Sequence, residues 1–225
     1  LGSFTHADAL APGASYLRTE TIALSPATKG QYVIVVTDPL PPYPFGVVTE
    51  VDENNNTRSA ATDVTVRPSD LRVTAVSAPT ENYSGEKTTV QWTVTNVGNQ
   101  VWDGTRYWID AVWLSPDPEF IPARATLLGT FAHSNAVPLG ANQSYTQSAE
   151  VVLPRGIGGK YFLYVVADAS PYNASAPNGE LQAGDNAYAR DRFYAGSAFE
   201  GLGGELNNLG KGNIPVIYRE PDLKV

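Results

Sequence analysis

The chain repeats itself, and that repetition constrains its fold more than any single motif. Leu1-Gly2-Ser3-Phe4-Thr5-His6 recurs as Leu128-Gly129-Thr130-Phe131-Ala132-His133, an offset of 127. Gly13-Ala14-Ser15-Tyr16 matches the stretch from Gly140 to Tyr145. Leu24, Gly30 and Tyr32 match Leu153, Gly159 and Tyr161 at an offset of 129, and Val36-Thr37-Asp38 matches Val166-Ala167-Asp168 at 130. The residue gained between these offsets reads as a bulge. Farther on, Asp70-Leu71-Arg72-Val73 returns as Asp222-Leu223-Lys224-Val225 at an offset of 152, and Glu53, Asn55 and Asn56 fall on Glu205, Asn207 and Asn208. The jump from 130 to 152 predicts a 22-residue insertion between Asp168 and Glu205. A competing alignment pairs Glu50 with Glu180 and moves the insertion later.

Self-similarity on this scale means successive copies of one structural unit. Residues 1–69 read as the C-terminal half of one copy, residues 70–221 as a complete copy with a long insertion at about 169–204, and residues 222–225 as the opening of a third. Half a unit leaves an apolar face without its partner. Residues 1–69 are therefore expected to be completed by more of the same polypeptide or by another chain. The absence of any Met, including at position 1, is read as a sign of an internal or processed piece.

Local patterning predicts strands. Thr88 to Thr95 alternates, with Val90, Trp92 and Val94 on one face and polar residues on the other, which is the period of a half-buried strand. Asn96-Val97-Gly98-Asn99 reads as a turn. Tyr107 to Leu114 is a second, aromatic-rich strand, broken by Ser115-Pro116-Asp117-Pro118. Ser144 to Leu153 alternates again, Pro154 to Gly159 turns, and Tyr161 to Val166 is a continuous apolar run. Thr62 to Arg67 and Ile214 to Arg219 are read as closing strands. With no helical periodicity in evidence, the expected fold is all-β: tandem sandwiches of about seven strands per copy. The chain has no Cys, so each core must hold without a disulfide.

Charge narrows the partners. A net charge of −8 argues against nucleic acid and anionic lipid surfaces, which require clustered Lys and Arg. No run reaches the apolar length of a membrane helix, so no membrane insertion is expected.

Taken in order, Asp70-Leu71-x-Val73, Trp92-Thr93-Val94-Thr95-Asn96-x-Gly98, Trp108-x-Asp110-x-Val112-Trp113-Leu114-Ser115, Leu128-Gly129, Gly140 with Ser144-Tyr145, Leu153-Pro154, Gly159-x-Tyr161, Val165-Val166-x-Asp168 and Glu205-x-Asn207-Asn208 resemble the CARDB family, the cell-adhesion-related domain found in bacteria. The resemblance spans 70–221, with residues 1–69 matching its second half, and the loop between Asp168 and Glu205 is longer than the family pattern. It implies an immunoglobulin-like fold and a role as stalk, adhesive or spacer module in a large extracellular or cell-surface protein.

Candidate chemistry is sparse. There is no thiol and no G-x-S-x-G nucleophile turn, and the two histidines, His6 and His133, hold the same place in successive copies and read as turn or capping residues. No enzymatic activity is expected. The acidic-amide stretch Glu50 to Asn56 offers hard oxygen ligands of the kind Ca²⁺ takes. The candidate metal ligands are Asp38, Asp52 and Asn54, with Asp168, Glu205 and Asn207 in the second copy and Glu180, Asp185 and Asn186 nearby. The competing reading is that these residues cap turns through their own backbone. Asp110 faces solvent, pairs with Arg106 or Arg124, or joins a metal site with Asp117. Trp102 and Trp108 either pack in the core or rim or stack on a sugar.

The functional expectation is a structural repeat of a stalk, adhesin or filament, with neighbouring repeats as its first partners and strand exchange between subunits as a route to a homopolymer. The alternative is a carbohydrate- or protein-binding module that uses the 169–204 loop on a glycan or surface protein, as an accessory to a secreted hydrolase in one version.

Overall fold

The computed structural model describes residues 1–39, 48–169, 198–201 and 207–219. They fall into two compact units, Leu1–Thr65 and Val66–Val225. The first contains β1 (Gly30–Val36) and β2 (Thr57–Val64). The second contains β3 (Leu71–Ser77), β4 (Lys87–Asn96), β5 (Tyr107–Ser115), β6 (Thr126–Ser134), β7 (Ser144–Val152), β8 (Gly159–Val166) and β9 (Leu209–Val216).

In the second unit the strands form a three-stranded sheet, β3-β4-β7, and a four-stranded sheet, β6-β5-β8-β9. All ladders are antiparallel. The two sheets enclose one core of Leu71, Val90, Trp92, Val94, Trp108, Val112, Leu163, Val165 and Ile214, among others. The unit is an all-β, immunoglobulin-like sandwich.

The expected alternation of β4 is present. Val90, Trp92 and Val94 are fully buried, while the opposite face carries a polar ladder to β7. Gln91 donates to Ser148 at 3.1 Å, and the hydroxyls of Thr93 and Thr146 and of Thr95 and Ser144 lie 2.8 Å apart. Asn96 ends the strand with a buried side chain that donates to Asn99 O and Leu139 O and accepts from the backbone N–H groups of Asp70 and Gly98. Gly98 is required beside it, because a Cβ there would lie 2.6 Å from the Ser69 carbonyl carbon. The Asn-x-Gly pair is thus a joint between β3 and β4.

β5 is covered on both faces. Trp108, Val112 and Leu114 enter the main core, while Ala111 and Trp113 join Tyr164, Val166 and Ala169 in a second cluster on the outer face of the four-stranded sheet. The segment after the expected Ser-Pro-Asp-Pro break folds over that cluster. Phe120 packs edge-on to Trp113 at 5.8 Å, and Tyr164 donates its hydroxyl to Asp117 O at 2.9 Å.

The closing strands lie earlier than expected. Sequence patterning places them at Thr62 to Arg67 and Ile214 to Arg219, whereas β2 and β9 are Thr57–Val64 and Leu209–Val216. The first half of β9 is Leu-Gly-Lys-Gly-Asn, a run with little intrinsic strand preference. It becomes a strand because β8 supplies a ladder partner from Val166↔Leu209 onward. A side chain at Gly210 would collide with the Val73 side chain, its Cβ falling 2.6 Å from the Val73 Cβ.

The first unit holds a hairpin of the same construction. Its end pairs, Gly30↔Val64 and Val36↔Thr57, sit at the sequence-matched places of Gly159↔Val216 and Val166↔Leu209. β1 has 7 residues and β8 has 8, and the register of the first hairpin shifts between Gly30 and Tyr32. The odd residue therefore enters between Gly30 and Tyr32 rather than between Tyr32 and Val36. Tyr32 consequently stands opposite Ala61 where Phe162 stands opposite Asn213.

The details around the hairpins also agree. His6 stacks on Tyr16 at 4.0 Å, as His133 stacks on Tyr145 at 3.5 Å. Gly13 and Asn142 both take positive φ, 77° and 60°. They sit in matching turns, in which Ala14 N–H donates to Ala11 O and Gln143 N–H to Gly140 O.

Candidate functional site

The most polar part of the core is built around Asp110. On β5 it shares a face with Trp108 and Val112, so the alternation that buries them buries it too. Asp110 Oδ2 accepts from Trp92 Nε1 and from the Tyr145 hydroxyl, each at 2.7 Å, and Oδ1 accepts from the Asp168 N–H at 3.4 Å. The Tyr145 hydroxyl in turn accepts from Trp108 Nε1 at 2.9 Å. One carboxylate thereby ties β5 to β4 and β7 of the opposite sheet, a role a disulfide often fills in such sandwiches. Burial pushes the Asp110 carboxyl up to about 6, against the opposing pull of its Tyr145, Trp92 and Asp168 donors. Burial, and then the neighbouring Asp110 charge, drives the Tyr145 hydroxyl upward. Desolvation lowers His133, which lies in β6 against Tyr145.

This corrects the sequence readings of Asp110 and His133 and decides for the core between the two alternatives offered for Trp108. Asp110 does not face solvent or pair with an arginine; Arg124 pairs instead with Asp117 at 3.0 Å. Trp108 is fully buried and half of the hydrogen-bonded core pair, so it is not a sugar platform. His133 is a stacked strand residue rather than a turn or capping one.

The candidate metal ligands are organised as backbone clasps. Asp38 and Asp168 each follow a strand in the left-handed region, at φ 49° and 50°, a conformation Asp tolerates better than most residues. Asp38 Oδ2 accepts from Val48 N–H at 2.7 Å, and Asp168 Oδ2 accepts from Ala198 N–H at 2.9 Å. Beside them Thr37 N–H donates to Asn56 O, and Ala167 N–H donates to Asn208 O. Each aspartate closes a loop between the strands of its hairpin. The parallel between Val48 and Ala198 assigns most of the additional chain to the interval between Asp168 and Ala198.

Asp52 and Asn54 are brought together, but as a capped turn. Asp52 Oδ1 accepts from both the N–H and the Nδ2 of Asn54, at 3.0 and 3.1 Å, at the start of a single 3₁₀ turn. Asn207 Nδ2 donates to Asp70 Oδ1 at 3.0 Å. Glu205, Glu180, Asp185 and Asn186 lie outside the described residues, as does nearly all of the 169–204 loop. Among the described residues, no three His, Asp or Glu side chains come together as a metal-holding group.

Glu200 is a site residue that sequence reasoning missed. It is buried, accepts from Leu71 N–H at 3.2 Å through Oε2, and accepts from Asn208 Nδ2 at 3.2 Å through Oε1. With Phe199 O receiving both the N–H and the hydroxyl of Ser69, residues 199–200 fasten the entry of β3. The sequence carried no direct signal for it: only once the two aspartate clasps match Val48 with Ala198 does Glu50 fall two residues on, as Glu200 does.

No family model and no curated protein matches the chain. Among solved structures, it is similar to the crystal structure of the CARDB domain of the PF1109 protein from Pyrococcus furiosus in complex with di-metal ions. The identity is 15%, the match covers 69% of this chain and 100% of that one, and the TM-score is 0.39. It is also similar to a β-glucosidase from Listeria innocua in complex with glucose, at 12% identity and TM-score 0.35, over 71% of this chain but 17% of the enzyme. At such identities and scores the likeness is one of strand layout alone, and the sandwich rests on its own ladders. No helix among the described residues is long and apolar enough to cross a membrane.

Proposed function

We propose that this chain is a structural segment of a large extracellular or cell-surface bacterial protein, made of sandwich modules in tandem that act as a stalk, adhesin or filament. The observation that carries the reading is the agreement of two hairpins in two separate units. They share end pairs, a left-handed aspartate clasp, a His–Tyr stack and a turn. Unrelated domains have no reason to agree at so many independent points. The ordered likeness of residues 70–221 to the CARDB pattern supports the same assignment, and the acidic surface suits a secreted protein.

The arrangement inside the second unit fits a load-bearing element. Its two sheets are joined across the core by the Asp110 hydrogen bonds, and the start of β3 is fastened by Glu200 and Phe199. Such a module resists shear between its sheets without a disulfide. Small-angle scattering on a longer stretch of the protein tests the reading. A maximum dimension that grows linearly with each added module supports a stalk, and a compact particle of constant shape refutes it.

A further inference from the structure

We propose, on the load-bearing reading above, that the second unit carries a mechanical clamp: a parallel contact between residues 82–84 and 217–219 that resists tension applied between the entry and the exit of the module.

The strand register puts entry and exit at opposite ends of the sandwich. Leu71, at the start of β3, pairs with Asn96 at the end of β4. β4 begins at Lys87 and has 10 residues, so its two ends lie roughly 30 Å apart at about 3.3 Å per residue. Residues 82–84 come just before that beginning and turn into β4 through the Glu86 N–H bond to Tyr83 O. There they meet the chain as it leaves β9. Tyr83 and Ile217 form a parallel bridge, in which Ile217 N–H donates to Asn82 O at 2.7 Å and Ser84 N–H donates to Ile217 O at 3.0 Å. The two segments therefore run the same way. Tension from the entry draws residues 82–84 back toward β3, and tension from the exit draws Ile217 forward. The bonds across the bridge are loaded together in shear rather than opened one after another.

The surroundings of the bridge fasten it to both sheets. Asn82 is buried. Its Nδ2 donates to Pro79 O at 2.7 Å and to Pro215 O at 3.1 Å, and its Oδ1 accepts from the Thr88 hydroxyl. One side chain thus joins the approach to the bridge, the end of β9 and the start of β4. The Ser84 hydroxyl donates to Pro154 O at 3.3 Å and accepts from Ile157 N–H at 3.2 Å, which adds the turn between β7 and β8. At the exit, the Arg219 guanidinium lies 3.5 Å from the centre of the Tyr83 ring and donates to Glu86 at 3.1 Å, a cation–π contact and an ion pair on one side chain. The entry is held as well: Pro68 O accepts from the backbone N–H and from Nδ2 of Asn99, each at 3.0 Å.

Forced unfolding follows the unfolding rate and not the equilibrium stability, so the direction of pulling reads the clamp where a melt does not. The chain has no Cys, and introduced pairs fix the points of attachment on the 225-residue chain in optical tweezers. Arg67→Cys with Glu220→Cys loads the bridge in shear. Lys160→Cys with Glu220→Cys opens β8 and β9 from the Gly159↔Val216 end, pair by pair. The rupture force should be at least about twofold higher in the first geometry. Ile217→Pro deletes the N–H that donates to Asn82 O and should bring the first force down to the second, while lowering the second far less. Arg219→Gln, at the exposed exit, should lower the first force by a smaller step. Equal forces in the two geometries would overturn the proposal, as would a shear force that neither substitution lowers. A longer stretch that scatters as a rod while this unit ruptures equally in both directions would sink the clamp and leave the module reading intact; a compact particle whose second unit is strong in shear alone would do the reverse.

Discussion

Tyr145 on β7 donates its hydroxyl hydrogen to Asp110 on β5 at 2.7 Å, joining the two sheets of the second unit through a carboxylate that is fully buried. The same oxygen accepts from Trp92. Removing the acceptor strands two buried donors, whereas the geometry of the apolar core around them is unchanged.

Asp110→Ala should therefore destabilise the second unit by about 2–5 kcal/mol, from roughly 1–3 kcal/mol for each neutral buried donor left without an acceptor. Tyr145→Phe keeps the ring stacked on His133 and loses only the hydroxyl bonds, so about 1–3 kcal/mol is expected. Urea unfolding followed by Trp fluorescence measures both, and equal stability of the three proteins would contradict the role given to Asp110.

The same carboxyl makes stability depend on pH in an unusual direction. Its pKa is raised from 3.8 to about 6 in the folded chain, so the folded state holds the proton more tightly than the unfolded state. The stability it contributes is full below pH 3.8 and is lost as pH rises to about 6, on the order of 3 kcal/mol. Asp110→Asn removes this titration. The stability difference between parent and Asp110→Asn should shift against the parent between pH 4 and 6, then level off; a flat difference would contradict the assignment.

Gly210 lies under Val73 with no room for a Cβ. Gly210→Ala should cost about 1–3 kcal/mol through overpacking. Val73→Ala removes the Cγ1 atom that crowds this position and leaves the Cβ, 2.6 Å away, to give way, so Gly210→Ala should cost less, but still something, on that background, which a double-mutant cycle reads directly. Additive costs would place the two residues apart.

Asp168 combines a left-handed backbone with a clasp on Ala198 N–H. Asp168→Ala loses the clasp and keeps a Cβ in a region that L-residues disfavour by about 1–2 kcal/mol. Asp168→Gly loses the clasp but relieves that backbone cost, and should be the milder change. Thermal melts that rank glycine below alanine would refute the left-handed assignment.

Asp38, Asp52 and Asp168, first read as Ca²⁺ ligands, each accept a backbone N–H. Chelation should leave the melting midpoint where it is, and added Ca²⁺ should not raise it. A midpoint that climbs with Ca²⁺ concentration would restore the metal reading through linkage.

Much of the fold was legible in the sequence where local pattern and tertiary role coincide. β4 alternates because one of its faces is core, and β5 reads as apolar because both of its faces are covered. β9 was misplaced because Gly210 and Gly212 answer to close packing against β3, which leaves no apolar period. Asp110 was misread because its type suggests solvent, although its parity with Trp108 and Val112 already put it inside. Glu200 was hidden by the insertion, which displaces it from Glu50 by an offset that neither flanking match shares.

The most direct test of the account is the register of the first hairpin in solution. Cross-strand nuclear Overhauser effects should pair Tyr32 with Ala61 and Val36 with Thr57, and Thr37 N–H should be protected by Asn56 O. That would repeat the geometry of Phe162 with Asn213 and Val166 with Leu209. A hairpin paired one residue out of step, or residues 30–64 in another topology, would contradict the claim that the two units are built alike.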